Sequence, residues 1–559
     1  MLLLSLRKLT IMRRLLLAVL IFQLSFIHFA APAQTVNPSK PKLVVGIVID
    51  QMRWDFLYRY ADRYTDGGFK RLLREGFSCE NTLLPYTPTV TACGHTCIYT
   101  GSVPAIHGIT GNNWWDLDSN RRVYCTEDSS VQTIGSNTGA GFMSPRNLLV
   151  TTVSDELRLA TNFKSKVIGI AIKDRGAILP AGHSANAAYW YDDQSGNWVS
   201  SSYYNFPENQ LPSWATEFNN KKLVDSLLAS NWNTLYPVET YTQSTQDNKS
   251  YEGKFPGELS PTFPHNFSKL TETQKDTTIK SVPQGNTFTL QFAEAAIEGE
   301  NLGMGDATDF LAISCSSTDY IGHQFGPNSI ENEDDYLRLD RDLAAFFKFL
   351  DSKYGSGNYL LFLSADHGVA HIPAFLDEHN IPNGFLSTPA IAYYLNAFIK
   401  MKFGLSDMIV NTDNYQLTLN HPRMDSAKIS RDKLIDYILP LIKKIPGVAN
   451  EFDIQKINAT TLPEVQKKML SNGYYEKRCG DIQLVFQPGW IDGGPSGTTH
   501  GLWNPYDAHI PLVWMGWGIK QGATNREVYM TDIAPTLAAM LHIQMPNGCV
   551  GRVIPEVMK

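Results

Sequence analysis

KLVVGIVID, Lys42 to Asp50, is apolar at every position between its terminal lysine and its terminal carboxylate. A run without polar alternation reads as a strand buried on both faces, the signature of a parallel sheet. An Asp at the carboxyl end of such a strand points into the crevice where α/β folds place ligands. Similar strand-then-polar units recur at Lys166 to Asp174, at Phe310 to Ser316 followed by STDYIGH, and at Tyr359 to Leu363 followed by SADHG. Helical patterns lie between them at Gly68 to Glu75, at Glu331 to Lys353 with an acidic first turn, and at Thr531 to Leu541. The alternation predicts an α/β fold, a doubly wound and mostly parallel sheet flanked by helices.

Two stretches break the rhythm and read as cap insertions over the active face. Residues 184–285 are rich in Asn, Ser, Thr, Tyr and Trp, and include YWYDDQSGNWVSSSYY, which predicts a hairpin around Ser195-Gly196-Asn197. Residues 374–480 mix a long helix, Lys428 to Lys444, with short strand-like runs. The α/β core is then expected in three parts, 34–183, 286–373 and 481–559.

With 11% aromatic and 18% charged residues, the 559-residue chain has the composition of a globular protein. Residues 1–33 carry Arg7, Lys8, Arg13 and Arg14, then an apolar run from Leu15 to Phe29, then Ala31-Pro32-Ala33. These are the three parts of a secretory signal peptide, with cleavage expected after Ala33 and Met12 as an alternative start. No 18-residue apolar stretch follows, so no membrane attachment is expected after cleavage, and the expected location is periplasmic or secreted. Loss of the four basic residues takes the net charge from −7 to about −11, which excludes nucleic-acid binding by a general basic surface. Seven cysteines leave at least one thiol free, match no zinc-finger spacing and permit one or two disulfides.

Aspartate and histidine recur at strand ends: Asp50, then Asp319 with His323, then Asp366 with His367, then His500 in GTTHG. Each alone reads as a helix cap or a core residue, but six together point to metal ligation. Three Asp and three His suffice for two zinc sites of three protein ligands each, the open position serving a nucleophile or a substrate oxygen. The segment TPTVTACGHT, Thr87 to Thr96, supplies the nucleophile. Thr91 stands where a helix running to Thr100 begins, and the amide groups of a helix start favour both an alkoxide and a phosphoryl anion. His95 reads as structural, and His107, His183, His371 and His509 lie near the motifs as candidate supports. Cys93 and Cys97, the Trp pair at 114 and the YWY run at 189 read as packing residues.

Asp50, TVTACGH, STDYIGH, SADHG and GTTHG, in this order, resemble the alkaline phosphatase superfamily, and within it the bacterial phosphate-irrepressible alkaline phosphatases with a threonine nucleophile. The resemblance runs from about Lys42 to the C-terminus and includes GSVPAIHGITGNNW and HIPLVWMGWGIKQG. It implies one zinc held by Asp319, His323 and His500, and another held by Asp50, Asp366 and His367 with Thr91 bridging to the phosphoryl group. It also implies that Asn112, Lys173 and Arg175 contact substrate oxygens. Lys173 and Arg175, two residues apart, would point the same way on a strand continued that far. The expected activity is hydrolysis of a broad range of phosphate monoesters through a phosphothreonine, with two zinc ions as cofactors and a monomer compatible with the sequence. The alternatives are a phosphodiesterase or nucleotide pyrophosphatase with the same ligands, and a secreted zinc-binding protein without catalysis.

Overall fold

The computed structural model describes residues 40–558; the expected signal peptide lies outside the described residues. An eleven-stranded mixed sheet forms the centre. Five of its strands are parallel and adjacent, in the order Tyr359–Ser364, Leu43–Ile49, Asp309–Cys315, Val167–Ala171 and Ala187–Asp192. All residues of these five strands are buried, as unalternating apolar runs require when helices cover both faces. Antiparallel strands extend both sides, Leu512–Gly516 beside Tyr359–Ser364 and Asn197–Ser201 beside Ala187–Asp192.

Register decides what meets at the carboxyl edge. Ile49 pairs with Cys315, Val48 with Ser364, and Ala171 with Ser314. The residues just beyond these positions, Asp50, Asp319, Lys173 and Asp366-His367, therefore leave the sheet along one edge, where the strand order reverses direction through the sequence.

The predicted helices are present at Phe69–Glu75, Ile330–Tyr354, Arg431–Ile442 and Ile533–Leu541. The hairpin around Ser195-Gly196-Asn197 is also present, but it is the edge of the main sheet and not part of a cap. Its first strand pairs with Val167–Ala171, so the first insertion proper begins after Ser201. The second insertion has its own four-stranded sheet, ordered Ile409–Asn411, Gln416–Leu419, Ile482–Phe486 and Val448–Asp453. Ile482–Phe486, expected in the last part of the core, pairs with Gln416–Leu419 and Val448–Asp453 and not with the central sheet.

The acidic start of the 25-residue helix Ile330–Tyr354 is buried and pins the first insertion to the core. Glu331 meets His265 at 3.2 Å, Asp334 accepts from the Trp232 indole at 2.7 Å, and Glu333 accepts from Ser244 at 2.7 Å and from Arg63 at 2.6 Å. Burial opposes the charge on His265, but its hydrogen bonds to Glu258 and Glu331 outweigh burial and hold it up at about 9, against an ordinary 6.5. A histidine raised by folding contributes stability that is complete below its unfolded value and lost as pH rises through its folded one. Glu252, pushed up to about 10 by burial and then by Glu331, loses stability in the same direction. The melting temperature is therefore expected to fall between about pH 7 and about pH 10. In calorimetry His265→Gln should melt lower at neutral pH and show a flatter slope across that window; an unchanged slope would assign the loss to other groups.

Candidate active site

Thr91 opens the ten-residue helix Thr91–Thr100, which is buried along its whole length. Extended Val90 is the capping residue, so Thr91 occupies the first helical position and its hydroxyl is not used as a cap. The helix can sit this deep because of Gly94: a Cβ there would lie 2.3 Å from the Asp366 carbonyl oxygen. Thr91 Oγ1 stands 3.4 Å from His367 Nε2 and 3.4 Å from Lys173 Nζ. His95, on the same helix, is held between the Thr91 carbonyl and Ser314, which accords with a structural role.

Two compact acid-histidine groups surround this hydroxyl: Asp50, Asp366 and His367 in one, and Asp319, His367 and His500 in the other. Five of the six predicted ligands lie in these groups, with His367 shared between them and standing in the second group where His323 was expected. His323 joins through Asp319, its Nε2 3.2 Å from Asp319 Oδ1, while His500 Nε2 lies 3.6 Å from the same oxygen.

The donor atoms suit divalent cations. Nδ1 of His323, His367 and His500 each faces a backbone carbonyl, of Thr498 at 2.7 Å, Gly368 at 2.9 Å and Thr89 at 2.7 Å. Donation from Nδ1 leaves the Nε2 lone pair free, the arrangement that orients a metal-binding imidazole. Asp50 Oδ1 and Asp366 Oδ2 are buried without a hydrogen-bond partner; His367 Nε2 lies 3.6 Å from the first, and His367 Nε2 and His95 Nδ1 each lie 3.3 Å from the second. Buried carboxylate oxygens left open in this way call for positive charge.

Electrostatics agree. Burial, and next the negative charge of Asp366, push the Asp50 carboxyl well above its usual range. Asp319 is held well below its usual range because His323 and Lys173 outweigh burial. Burial drives His367 down to about 3, so it is a neutral imidazole. Burial opposes the Lys173 charge, but Asp319 and Asp50 keep the ammonium above its ordinary value. Its Nζ spans the two groups, 2.7 Å from Asp50 Oδ2 and 2.5 Å from Asp319 Oδ2.

Lys173 and Arg175 do not share a strand face, because the strand ends at Ala171. Lys173 instead caps the helix Asp174–Ala181 and Arg175 lies in its first turn, where its guanidinium donates to the Tyr124 hydroxyl at 3.1 Å. Lys173 therefore reaches Thr91 directly, at 3.4 Å, while the guanidinium of Arg175 is held by Tyr124. Asn112 Oδ1 accepts the Ala92 amide of the nucleophile helix at 2.9 Å, which fixes the side chain and turns its NH2 the other way. His107, His183, His371 and His509 bond to Cys97, the Val150 carbonyl, Asn328 and the Glu80 carbonyl respectively. All seven cysteines are free, six of them buried, so the one or two disulfides the count permits are not formed.

Gln51, which the sequence reading passed over, bonds to ligand carboxylates of both groups. Asp507 is a second such residue: its Oδ2 accepts the amides of Gly501 and Leu502 and so ties down the loop that carries His500. Nothing in the sequence marks either as special, since their roles depend on partners far along the chain.

A parallel sheet carrying two acid-histidine groups that could hold metal ions, and a helix-borne threonine at its carboxyl edge, has the outline of a phosphoryl-transfer hydrolase. The type I phosphodiesterase / nucleotide pyrophosphatase family model matches residues 44–507, and the chain belongs to that family, in its alkaline phosphatase branch. It is 54% identical over 533 residues to the alkaline phosphatase PhoV of Synechococcus elongatus, covering 94% of each chain. It is 52% identical over 538 residues to a Myroides odoratus protein named calcium-transporting ATPase, covering 96% of this chain and 97% of that one. The crystal structure of the alkaline phosphatase PafA matches with a TM-score of 0.89 at 49% identity, covering 93% of this chain and 99% of that one. A variant of PafA has also been solved, substituted at a threonine, an asparagine, a lysine and an arginine.

Proposed function

We propose that the chain is a periplasmic or secreted phosphate monoesterase that uses two zinc ions and a phosphothreonine at Thr91 to hydrolyse a broad range of phosphomonoesters. The observation that carries this reading is the setting of Thr91: a hydroxyl at the first position of a buried helix, 3.4 Å from both an ammonium and a neutral imidazole. PhoV and PafA, alkaline phosphatases by name, support it. The four residue types substituted together in PafA are those of Thr91, Asn112, Lys173 and Arg175, in the same chain order.

Asp319, His323 and His500 would hold one zinc, and Asp50, Asp366 and His367 the other. Bound zinc supplies Lewis-acid stabilisation of the attacking and leaving oxygens. Lys173 and the amides of the helix start favour the Thr91 alkoxide, which attacks phosphorus and becomes phosphothreonine as the alcohol departs. Water then cleaves the threonine ester and releases inorganic phosphate. Lys173, the NH2 of Asn112 and Arg175 bind nonbridging oxygens, over which the charge of a loose transition state is spread.

A monoester dianion has one more free oxygen than a diester, and the cationic side chains favour it. Zinc-loaded protein is expected to hydrolyse an aryl phosphate monoester about 100- to 10,000-fold better in kcat/KM than the matching diester, the equivalent of two charge-assisted hydrogen bonds. Lys173→Ala with Arg175→Ala should shrink that ratio by lowering the monoester rate. A diester preference in the unmodified chain would overturn the assignment of these residues and favour the diesterase chemistry in the family's name.

A further inference from the structure

We propose that Gln51 is a positioning residue that locks one ligand carboxylate of each zinc site and thereby sets the geometry of both. The inference rests on the two-zinc reading above.

Gln51 follows Asp50 directly and is buried, with 2% of its surface exposed. Its backbone is left-handed, with φ 69°. A residue with a long side chain adopts that region at a cost, and such strain persists only where the surroundings fix it. Here the turn aims two donors of one residue at two distant parts of the chain. The Gln51 amide donates to Asp366 Oδ1 at 3.0 Å, and its side-chain Nε2 donates to Asp319 Oδ1 at 2.7 Å and more weakly to the Asp319 carbonyl at 3.4 Å.

Each bond has a distinct effect. At Asp366 the amide occupies Oδ1 and leaves Oδ2 as the open atom, the one without a hydrogen-bond partner. At Asp319 the side chain holds Oδ1 while Lys173 holds Oδ2, and together they fix the rotation of the carboxylate, so that Oδ1 faces His323 Nε2 at 3.2 Å and His500 Nε2 at 3.6 Å. A carboxylate oxygen has two lone pairs, so one amide proton on Oδ1 still leaves a pair for a cation. Space for the side chain comes from Gly322, on the same helix as Asp319 and His323: a Cβ there would lie 1.9 Å from Gln51 Oε1.

The two bonds are separable. Gln51→Gly keeps the backbone amide, and glycine accepts φ 69° without strain, but the side-chain donor to Asp319 is gone. Gly322→Ala keeps Gln51 yet displaces its amide from the other side. The experiment titrates zinc into demetallated protein against a competing chelator and resolves two dissociation constants for the unmodified chain and each variant, with circular dichroism as the check on folding.

In both variants one constant should weaken by about 10- to 100-fold, the size of other outer-contact losses at metal sites, while the second stays within about threefold. In Gln51→Gly the kcat measured in excess zinc should return most of the way, whereas activity in buffered low zinc should not. A purely structural role predicts the reverse: relief of strain, a melting temperature equal or higher, and two unchanged constants. Unchanged constants in folded variants overturn the proposal. Absence of two zinc ions from the unmodified protein overturns the metal reading and this inference with it.

Discussion

Thr91→Ala is expected to lower kcat for an aryl phosphate monoester by about three to six orders of magnitude, the range seen when a covalent nucleophile is removed from a preorganised site. The melting temperature should hardly move. Thr91 Oγ1 makes only two long contacts, both at 3.4 Å, and the helix takes its cap from the preceding residue. The hydroxyl therefore carries little of the packing. Thr91→Ser keeps a hydroxyl at the same helix position and should keep most of the rate. Acid quenching during turnover of a radiolabelled monoester should trap label on the unmodified protein and on the serine variant, and none on the alanine variant. A labelled alanine variant, or an alanine variant with near-normal kcat, would remove Thr91 from the mechanism.

Removal of divalent cations is expected to abolish hydrolysis and to destabilise the fold together. The site places the carboxylates of Asp50, Asp319 and Asp366 around the single ammonium of Lys173, all of them almost fully buried. Burial of net negative charge without a counterion is costly, and a cation that binds only the folded chain stabilises it by about 4 kcal/mol at a thousandfold excess over its Kd. Chelator-treated protein should melt at least several degrees lower, and zinc should restore both melting and turnover. Cobalt or manganese should restore them to different extents, since carboxylate and imidazole donors accept all three. Metal-free protein that retains full activity and an unchanged melting temperature would refute the reading of all six ligands at once.

Much of this site is legible in the sequence because every ligand but His500, which lies in a loop, follows a strand whose own pattern is plain. KLVVGIVID and YLLFLS announce buried strands, and the order of the DxxxH, ADH and GTTH motifs points to the candidate ligand set. Lys173 and Arg175 were legible as residues but not as geometry. The apolar pattern before them does not reveal that the strand stops at Ala171 and that a helix begins at Asp174. Strand membership in the caps was hidden for a related reason. Period and composition identify a strand such as Ile482–Phe486, yet its partners are chosen by packing against residues dozens of positions away. Gln51 was invisible for the strongest form of that reason, since its bonds span 268 and 315 residues and local composition says nothing of a left-handed turn.

The seven unpaired thiols give the molecule a property of its own. No covalent cross-link helps to close the fold, so non-covalent interactions alone offset the conformational entropy of some five hundred ordered residues. Refolding from denaturant faces no cysteine-pairing problem and needs no oxidant or disulfide isomerase. Six thiols spread from Cys79 to Cys479 are sealed inside, and only Cys549 is partly open. A thiol-reactive dye added to the native chain would therefore behave as a clock: a single early mark at Cys549, followed by six that record how often the remainder comes apart.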